Sequence, residues 1–234
     1  MQTTPLLLTR PAGANADFAR QFPAPLAARL SFVDCPLMRI VPLHRQHDIA
    51  ETAAVIFTSS NGVRFAPASQ NRRAYCIGER TTELARNAGW RAQCLGQTAA
   101  ELVEALRRQR PAGKLLHLCG VHVRGEVAER LVAAGLDAER RPLYDQQLLP
   151  LTEAARAVLN SQDPVIVPLF SPRAAAHFAA VAPQRAGITL VCLSAAVADS
   201  IDKSAKFGRV TAPEPTARAV VSSIEKLASF NSLG

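Results

Sequence analysis

Short apolar runs rich in branched side chains alternate along the chain with segments long enough to form helices. Such runs are typical of strands buried on both faces of a parallel sheet, and their alternation with helices indicates an α/β fold. The clearest predicted strands are 6–8, 55–57, 75–77, 93–95, 115–118, 165–167 and 190–193. We expect them to form two small parallel sheets. Pro168 predicts that its strand ends at Val167 or lies at a sheet edge.

Two of the intervening segments show the i, i+3, i+4, i+7 spacing of a helix with one buried face. The apolar positions are Ala99, Leu102, Val103 and Leu106 in the first and Ala217, Val220, Val221 and Ile224 in the second. Thr216 precedes the second set as an N-cap. Three other segments, 87–90, 133–136 and 185–188, each predict a helix end, a glycine in a left-handed turn and an incoming strand. This weak repeat favours two similar units.

Two extended segments with prolines, 32–43 and 140–150, break this rhythm. We expect them to be linkers that pair antiparallel as a two-stranded hinge. The predicted boundaries are 1–36 with 150–234 for a discontinuous first domain, 44–139 for an inserted second domain, and 37–43 with 140–149 for the linker strands. The alternative, two consecutive halves split near Pro150, leaves the first strand and helix without a sheet.

The composition fits two soluble globular domains, since the 234 residues are 48% hydrophobic and 20% charged. No basic stretch precedes the first apolar run, and no run approaches the roughly 20 residues of a membrane span. We therefore expect no signal peptide, no membrane association and a cytoplasmic location. The five cysteines form no CxxC pair, which favours buried free thiols over disulfides or a zinc site.

The formal net charge of +8 fits an anionic partner. The basic residues are scattered, however, and the densest group, Arg107, Arg108 and Arg110, closes a predicted helix, where cations complement the helix dipole. Aromatic residues make up 5% of the chain and do not cluster with the basic ones. We therefore expect no nucleic-acid binding.

Ligands of open parallel sheets bind beyond the carboxyl ends of the strands. The loops that follow the predicted strands carry glycine, hydroxyl and basic residues, which bind carboxylate or phosphate oxygens. These loops are 9–11, 58–62, 78–82, 96–98, 120–124, 171–173 and 194–196. Each loop alone is also explained by ordinary caps and turns. Together they predict a polar cleft between the domains that holds an acidic small molecule.

Familiar motifs are missing from the sequence: it has no GxGxxG, no P-loop and no GxSxG elbow. The five histidines lack metal-ligand spacing, and we expect His44 and His47 to be solvated. We therefore predict no metal and no nucleotide. Tyr144 lies in the second linker, beside the expected cleft, where a phenol can donate a hydrogen bond or act as a weak acid. The alternative is that the Tyr144 side chain only packs against its neighbours.

The small motifs, taken in order over nearly the whole chain, resemble those of the uroporphyrinogen-III synthase (HemD) family. The matching segments are 7–11, 55–59 with 61–63, 77–81, 116–120 with Arg124, 135 with 143–144, 171–172 and 212–216. The resemblance implies two Rossmann-like or flavodoxin-like domains joined by a two-stranded β-ladder. It implies a monomer without a cofactor, whose small-molecule substrate is the linear tetrapyrrole hydroxymethylbilane. Transient contact with the enzyme that makes this substrate is a further expectation.

The implied reaction is loss of the terminal hydroxyl, inversion of the last pyrrole ring through a spiro intermediate, and closure to uroporphyrinogen III. Such an enzyme must mainly fold its substrate and exclude water. Tyr144 then matches the family's linker tyrosine and assists departure of the hydroxyl. The implied binding residues for the substrate carboxylates are Arg10, Thr58, Ser59, Ser60, Gly78, Thr81, Gly120, Arg124, Ser171 and Ser194.

The sequence departs from the family pattern at two of these loops. Residues 194–198 lack the threonine that relatives often carry, and Cys119 stands where an arginine often precedes the glycine. The alternative functions are a phosphosugar isomerase and a two-domain ligand sensor. A phosphosugar isomerase needs a catalytic Glu or His in the cleft. A two-domain sensor resembling a periplasmic binding protein needs export or a DNA-binding segment.

Overall fold

The computed structural model describes residues 3–43, 49, 51–123 and 125–230. The chain forms two compact units, the first comprising Met1–Arg39 with Gln147–Gly234 and the second Ile40–Gln146. Each unit is built around one sheet with helices on both faces. No helix in the described ranges is long and apolar enough to cross a bilayer.

The strands and helices follow one another along the chain as the hydrophobic pattern predicts, with several additional short elements. The strands are β1 (Thr4–Leu8), β2 (Leu30–Asp34), β3 (Met38–Pro42), β4 (Ala54–Phe57), β5 (Arg73–Cys76), β6 (Arg91–Cys94), β7 (Leu115–Gly120), β8 (Ala138–Leu148), β9 (Val165–Leu169), β10 (Ile188–Cys192) and β11 (Gly208–Thr211). The helices are α1 (Asn15–Ala19), α2 (Ala24–Ala27), α3 (Ser60–Phe65), α4 (Glu79–Asn87), α5 (Ala99–Gln109), α6 (Val127–Ala133), α7 (Glu153–Asn160), α8 (Pro172–Val181), α9 (Ala195–Ala198) and α10 (Ala217–Phe230).

The sheet of the first unit has the strand order β11-β10-β9-β1-β2, and its neighbouring strands are parallel. The second sheet has the order β3-β8-β7-β4-β5-β6, with parallel pairing from β8 through β6. The prediction of an α/β fold with two parallel sheets is therefore confirmed. Strand β2 corrects the extent of the first linker, because residues 32–34 pair with 6–8 of β1.

Both faces of the central strands are buried, which explains their continuous apolar runs. In β4, Ala54 and Ile56 belong to the core under α5 and α6, whereas Val55 and Phe57 belong to the core under α3 and α4. In the first unit, neighbouring residues of β9 likewise belong to two different cores. The five cysteines are free, and all except the half-buried Cys94 are buried, as predicted for core thiols.

The two predicted amphipathic helices are present as α5 and α10. The backbone N–H of Ala219 donates to the Thr216 hydroxyl (3.1 Å), which confirms this N-cap. The glycine turns are confirmed at Gly89 and Gly135, whose φ angles are +84° and +77°. The third expected turn is wrong, because α8 ends at Val181, several residues before the predicted helix end at 185–188.

Pro168 lies inside β9, and β9 is a central strand, so both expectations for this proline are wrong. The odd-numbered residues of β9 direct their backbone toward β10: Val165 N–H donates to Gly187, and Leu169 accepts from Leu193, each at 2.9 Å. The backbone of Pro168 therefore faces β1. It lies beyond the residues at which β1 pairs with β9, Leu6 and Ile166, so no ladder hydrogen bond requires the N–H that proline lacks. The buried Thr9 hydroxyl donates to the Pro168 carbonyl, so a side chain replaces the backbone donor there.

Thr9→Val is expected to lower the free energy of unfolding by about 1–3 kcal/mol, because it leaves the Pro168 carbonyl buried without its donor. Thr9→Ser keeps the hydroxyl and serves as the control. Denaturant unfolding of the three proteins measures the effect. Equal stability of the valine and serine variants would contradict this role of the hydroxyl.

Candidate active site

The carboxyl ends of β4 and β7 lie beside the middle of β8 in the second unit, because β7 lies between β4 and β8 in the sheet. Thr58, Ser59 and Ser60 follow β4 directly, and all three are partly exposed. Gly120 ends β7 and is the register partner of Tyr144 in β8. The structure thus brings together residues that the sequence places in three separate segments.

Ser59 and Tyr144 form a hydroxyl pair at this edge of the sheet. The Ser59 Oγ lies 2.9 Å from the Tyr144 hydroxyl oxygen and also accepts the Gly62 backbone N–H at 3.3 Å, which makes Ser59 the N-cap of α3. The Tyr144 side chain is 3% exposed and packs against the Phe65 ring. Burial raises the pKa of Tyr144, an effect that the hydrogen bond with Ser59 opposes. The phenol is therefore neutral at ordinary pH and can donate a hydrogen bond.

Gly120 lies directly against the Tyr144 ring. A Cβ at this position would be 2.7 Å from Cε2 and 2.9 Å from Cζ of that ring. The Val121 N–H donates to the Tyr144 carbonyl (2.9 Å), so the strand backbone is held next to the same ring. Gly120 thus contributes space for the tyrosine, which only a residue without a side chain provides.

Thr58 and His117 form a second polar pair on the opposite face of the sheet. The Thr58 Oγ1 lies 3.0 Å from the Nε2 of His117, a residue of β7 that is 1% exposed. Burial, together with the Arg140 charge, lowers the pKa of His117 to about 4. The imidazole is therefore neutral at physiological pH. Arg140 donates from Nη2 to the Gly120 carbonyl (3.1 Å) and to the Val121 carbonyl.

Gly78 and Thr81 lie at the neighbouring end of β5. Gly78 is the N-cap of α4 with φ +74°, and its N–H donates to the Gly96 carbonyl (2.9 Å). Its carbonyl accepts the Thr82 hydroxyl at 2.9 Å. Thr81 is 7% exposed in the first turn of α4. Gly78 thus shapes this turn, while most of the Thr81 side chain is covered by protein.

In the first unit, Arg10 follows β1 and its backbone N–H donates to the Asn15 Oδ1 (2.9 Å). Asn15 is buried and donates from Nδ2 to the Leu8 carbonyl (2.7 Å) and to the Asp34 carboxylate. The Arg10 guanidinium carbon lies 4.9 Å from the centre of the Phe170 ring, a distance that permits a cation–π contact. Asn15 therefore fixes the turn that carries Arg10.

Ser171 and Ser194 follow the next two strands of this sheet, and both are partly exposed. The Ser171 Oγ accepts the Ala174 N–H at 3.2 Å and caps α8. Ser194 stands at the N-cap of α9, where its carbonyl accepts the Val197 N–H (3.0 Å) and its hydroxyl makes no capping bond. The Ser171 hydroxyl thus has a structural role that the Ser194 hydroxyl lacks.

Some expected residues lie outside the described part of the chain, namely Arg124, His44 and His47. Within the described part, no group of three or more His, Cys, Asp or Glu side chains could hold a metal ion.

Sequence reasoning missed the supporting residues His117, Arg140 and Asn15. A signal existed for His117, because it is a single polar residue within the apolar run 115–118. Asn15 and Arg140 stand in ordinary polar segments, and only the tertiary structure shows which backbone groups they bind.

Comparisons with known proteins bear on both units. The sequence matches the family model of uroporphyrinogen-III synthase HemD over residues 27–222. No curated protein gives a significant match. A solved uroporphyrinogen-III synthetase from Helicobacter pylori has a similar fold, with a TM-score of 0.72 and 16% identity over 97% of this chain and 100% of that chain.

A second similar structure is a mutant uroporphyrinogen III synthase from the extremely thermophilic bacterium Thermus thermophilus. Its TM-score is 0.57 and its identity 11%, over 98% of this chain and 100% of that chain. At these identities the likeness is one of fold.

The depressed pKa of His117 predicts that acid destabilises the protein. The unfolded chain takes up a proton near pH 6.5, whereas His117 in the folded protein does so only near pH 4. The free energy of unfolding therefore falls as the pH drops through this window, with about 3 kcal/mol from this residue. Denaturant unfolding between pH 8 and pH 4 measures it. His117→Gln lacks the titrating group, so identical pH dependence of both proteins would contradict the prediction.

Proposed function

Because this chain belongs to the uroporphyrinogen-III synthase family HemD, of tetrapyrrole biosynthesis, we propose that it is a lyase that converts hydroxymethylbilane into uroporphyrinogen III. The observation that best supports a role for particular residues in this reaction is the Ser59–Tyr144 hydroxyl pair beside Gly120. The neutral donors of this site suit a substrate that needs a leaving group removed and its carboxylates held.

The proposed reaction begins when the bond between the terminal methylene carbon and its hydroxyl oxygen breaks. The oxygen leaves with the bonding electrons and takes up a proton, so that water is released. The resulting cation is attacked by the substituted α-carbon of the last pyrrole ring, which gives a spiro intermediate. The bond from this spiro carbon to the methylene that originally joined the last two rings then breaks, which leaves the cation on that methylene. The free α-carbon of the last ring attacks it, so the ring is inverted, and loss of the proton from that carbon gives the macrocycle. The net change is loss of one water.

Tyr144 and Ser59 act in the first of these steps. Ser59 accepts the Gly62 N–H, so its own proton is available for the Tyr144 oxygen. The Tyr144 proton is then available to the departing hydroxyl. Because burial raises the pKa of this phenol, hydrogen-bond donation to the leaving oxygen is favoured over complete loss of the phenolic proton.

Carboxylate binding is assigned to the polar strand-end residues of each unit. In the second unit they are Thr58, Ser59, Ser60, Gly78, Thr81, Gly120 and Arg124, and in the first unit Arg10, Ser171 and Ser194. Hydroxyl, guanidinium and backbone N–H groups are the usual partners of carboxylate oxygens. The acetate and propionate groups of a linear tetrapyrrole supply such oxygens on every ring.

The remaining parts of the proposal concern the setting of the enzyme. We assign it to the cytoplasm as a monomer that meets the preceding enzyme transiently to receive its unstable substrate. The discontinuous first domain, 1–36 with 150–234, and the linker strands 37–43 and 140–149 belong to the same proposal.

The direct test generates hydroxymethylbilane in the presence of the purified protein and separates the type I and type III uroporphyrins after oxidation. We expect type III to predominate, because spontaneous closure occurs without ring inversion and gives type I. A product mixture unchanged by the protein would overturn the proposed function.

Tyr144→Phe is expected to lower the rate of type III formation by about 100-fold and to raise the share of type I, because the departing hydroxyl loses its donor. The matched control is Tyr75→Phe, which removes the hydroxyl of a buried tyrosine whose oxygen lies 3.4 Å from Arg73 Nη1. Full rate and isomer purity in Tyr144→Phe would remove this residue from the mechanism.

Gly120→Ala is expected to lower the same rate by about 10- to 100-fold, because its Cβ displaces the Tyr144 ring from Ser59. Combining it with Tyr144→Phe tests the cause. The double variant should be no slower than Tyr144→Phe alone if Gly120 acts through the tyrosine. A further loss in the double variant would show a separate role for Gly120.

A further inference from the structure

His117 is a buried polar residue that the reaction described above does not use. Its side chain is 1% exposed, in the middle of β7, between Leu116 and Leu118. The Nε2 faces the Thr58 hydroxyl at 3.0 Å, and the Nδ1 has no hydrogen-bond partner among the described residues. A histidine held this way makes one hydrogen bond, to a residue of the proposed carboxylate site.

The surroundings of the ring determine which nitrogen carries the proton. A neutral imidazole has one N–H donor and one acceptor nitrogen. If Nδ1 carried the proton, a buried N–H would have no acceptor, and orphaned buried N–H groups are rarer than under-satisfied acceptors. With the proton on Nε2, that N–H donates to Thr58, and Nδ1 is an unprotonated acceptor. Burial, together with the positive charge of Arg140, lowers the pKa of the ring and keeps it neutral.

Building on the function proposed above, we propose that His117 is a positioning residue whose Nε2–H donates to Thr58 Oγ1 and thereby directs the Thr58 hydroxyl proton toward a substrate carboxylate. The threonine oxygen is then an acceptor on its buried side and a donor on its partly exposed side.

The orientation matters because a hydroxyl rotates freely unless a partner determines the direction of its proton. If Thr58 donated to His117 instead, it would present only oxygen lone pairs to an incoming carboxylate, and the two would repel. His117 therefore decides whether Thr58 attracts or repels an anion. Its effect belongs to substrate affinity and not to the departure of the hydroxyl, which is assigned to Tyr144.

The tautomer is measured directly on the wild-type protein. Long-range ¹H–¹⁵N correlation spectra of histidine-labelled protein distinguish the protonated ring nitrogen from the unprotonated one. His177 is an internal reference, because its Nε2 lies 2.7 Å from the Leu149 carbonyl oxygen, which can only accept. We expect His117 to show the same Nε2–H pattern as His177. A proton on Nδ1 of neutral His117 would overturn the proposal.

Kinetics test the consequence for the substrate. His117→Met removes the donor, and we expect the KM for hydroxymethylbilane to rise about tenfold with kcat nearly unchanged, as for the loss of one hydrogen bond to a charged group. His117→Gln, whose amide can place an N–H near the position of Nε2, should restore most of the affinity. His177→Gln, which changes a histidine of the first unit, is the matched control and should leave KM unchanged.

A double variant shows whether His117 acts through Thr58. Thr58→Val should raise KM about as much as His117→Met, and the two changes together should raise it no further. If all the variants fold normally and the KM increase of the double variant is the product of the two single increases, the proposal is overturned. A wild-type protein that forms no type III product would refute the proposed function, whereas the tautomer measurement would still decide the assignment of His117 independently.

Discussion

A strand that is covered by helices on both faces can place polar groups in water only where it ends. In the second unit this constraint applies to β4 and β7, whose residues are buried throughout. The hydroxyls of Thr58 and Ser59 come directly after β4, at the first positions where the core no longer covers them. The two residues continue the alternation of the strand, so one joins His117 on one face and the other joins Tyr144 on the opposite face.

The fold was largely predictable because burial on two faces produces continuous apolar runs. Strands β4, β7, β9 and β10 are such runs, and their positions follow from the sequence. Strands β2 and β11 lie at the edges of the first sheet, are only partly buried and carry mixed residues, so no run marks them. Pro168 was misjudged because its missing N–H lies beyond the pairing of Leu6 with Ile166, and because the donor for its carbonyl is the Thr9 side chain, which is distant in sequence.

The site was predictable as a set of loops but not as a set of contacts. Ser59 follows from its place at a strand end and Tyr144 from its place in the second linker, whereas their 2.9 Å contact depends on the register between β7 and β8. That register includes an irregularity between Cys119 and Gly120, which no sequence pattern marks. The partner of Thr58 was missed for a similar reason. A lone histidine in an apolar strand signals a buried imidazole, but the register of β4 with β7 determines what it binds.

The order in which the first sheet is assembled has a consequence for synthesis on the ribosome. The pairing of Leu6 with Ile166 joins β1 to a strand made much later, whereas the second unit, Ile40–Gln146, is continuous. Domains generally fold as units while the chain emerges. The second unit therefore has all its strands before β9 exists, whereas until then β1 and β2 have only α1 and α2 to cover their apolar side chains. For that interval the face of β1 that carries Leu7 lacks the residues from Leu151 onward that bury it in the finished unit.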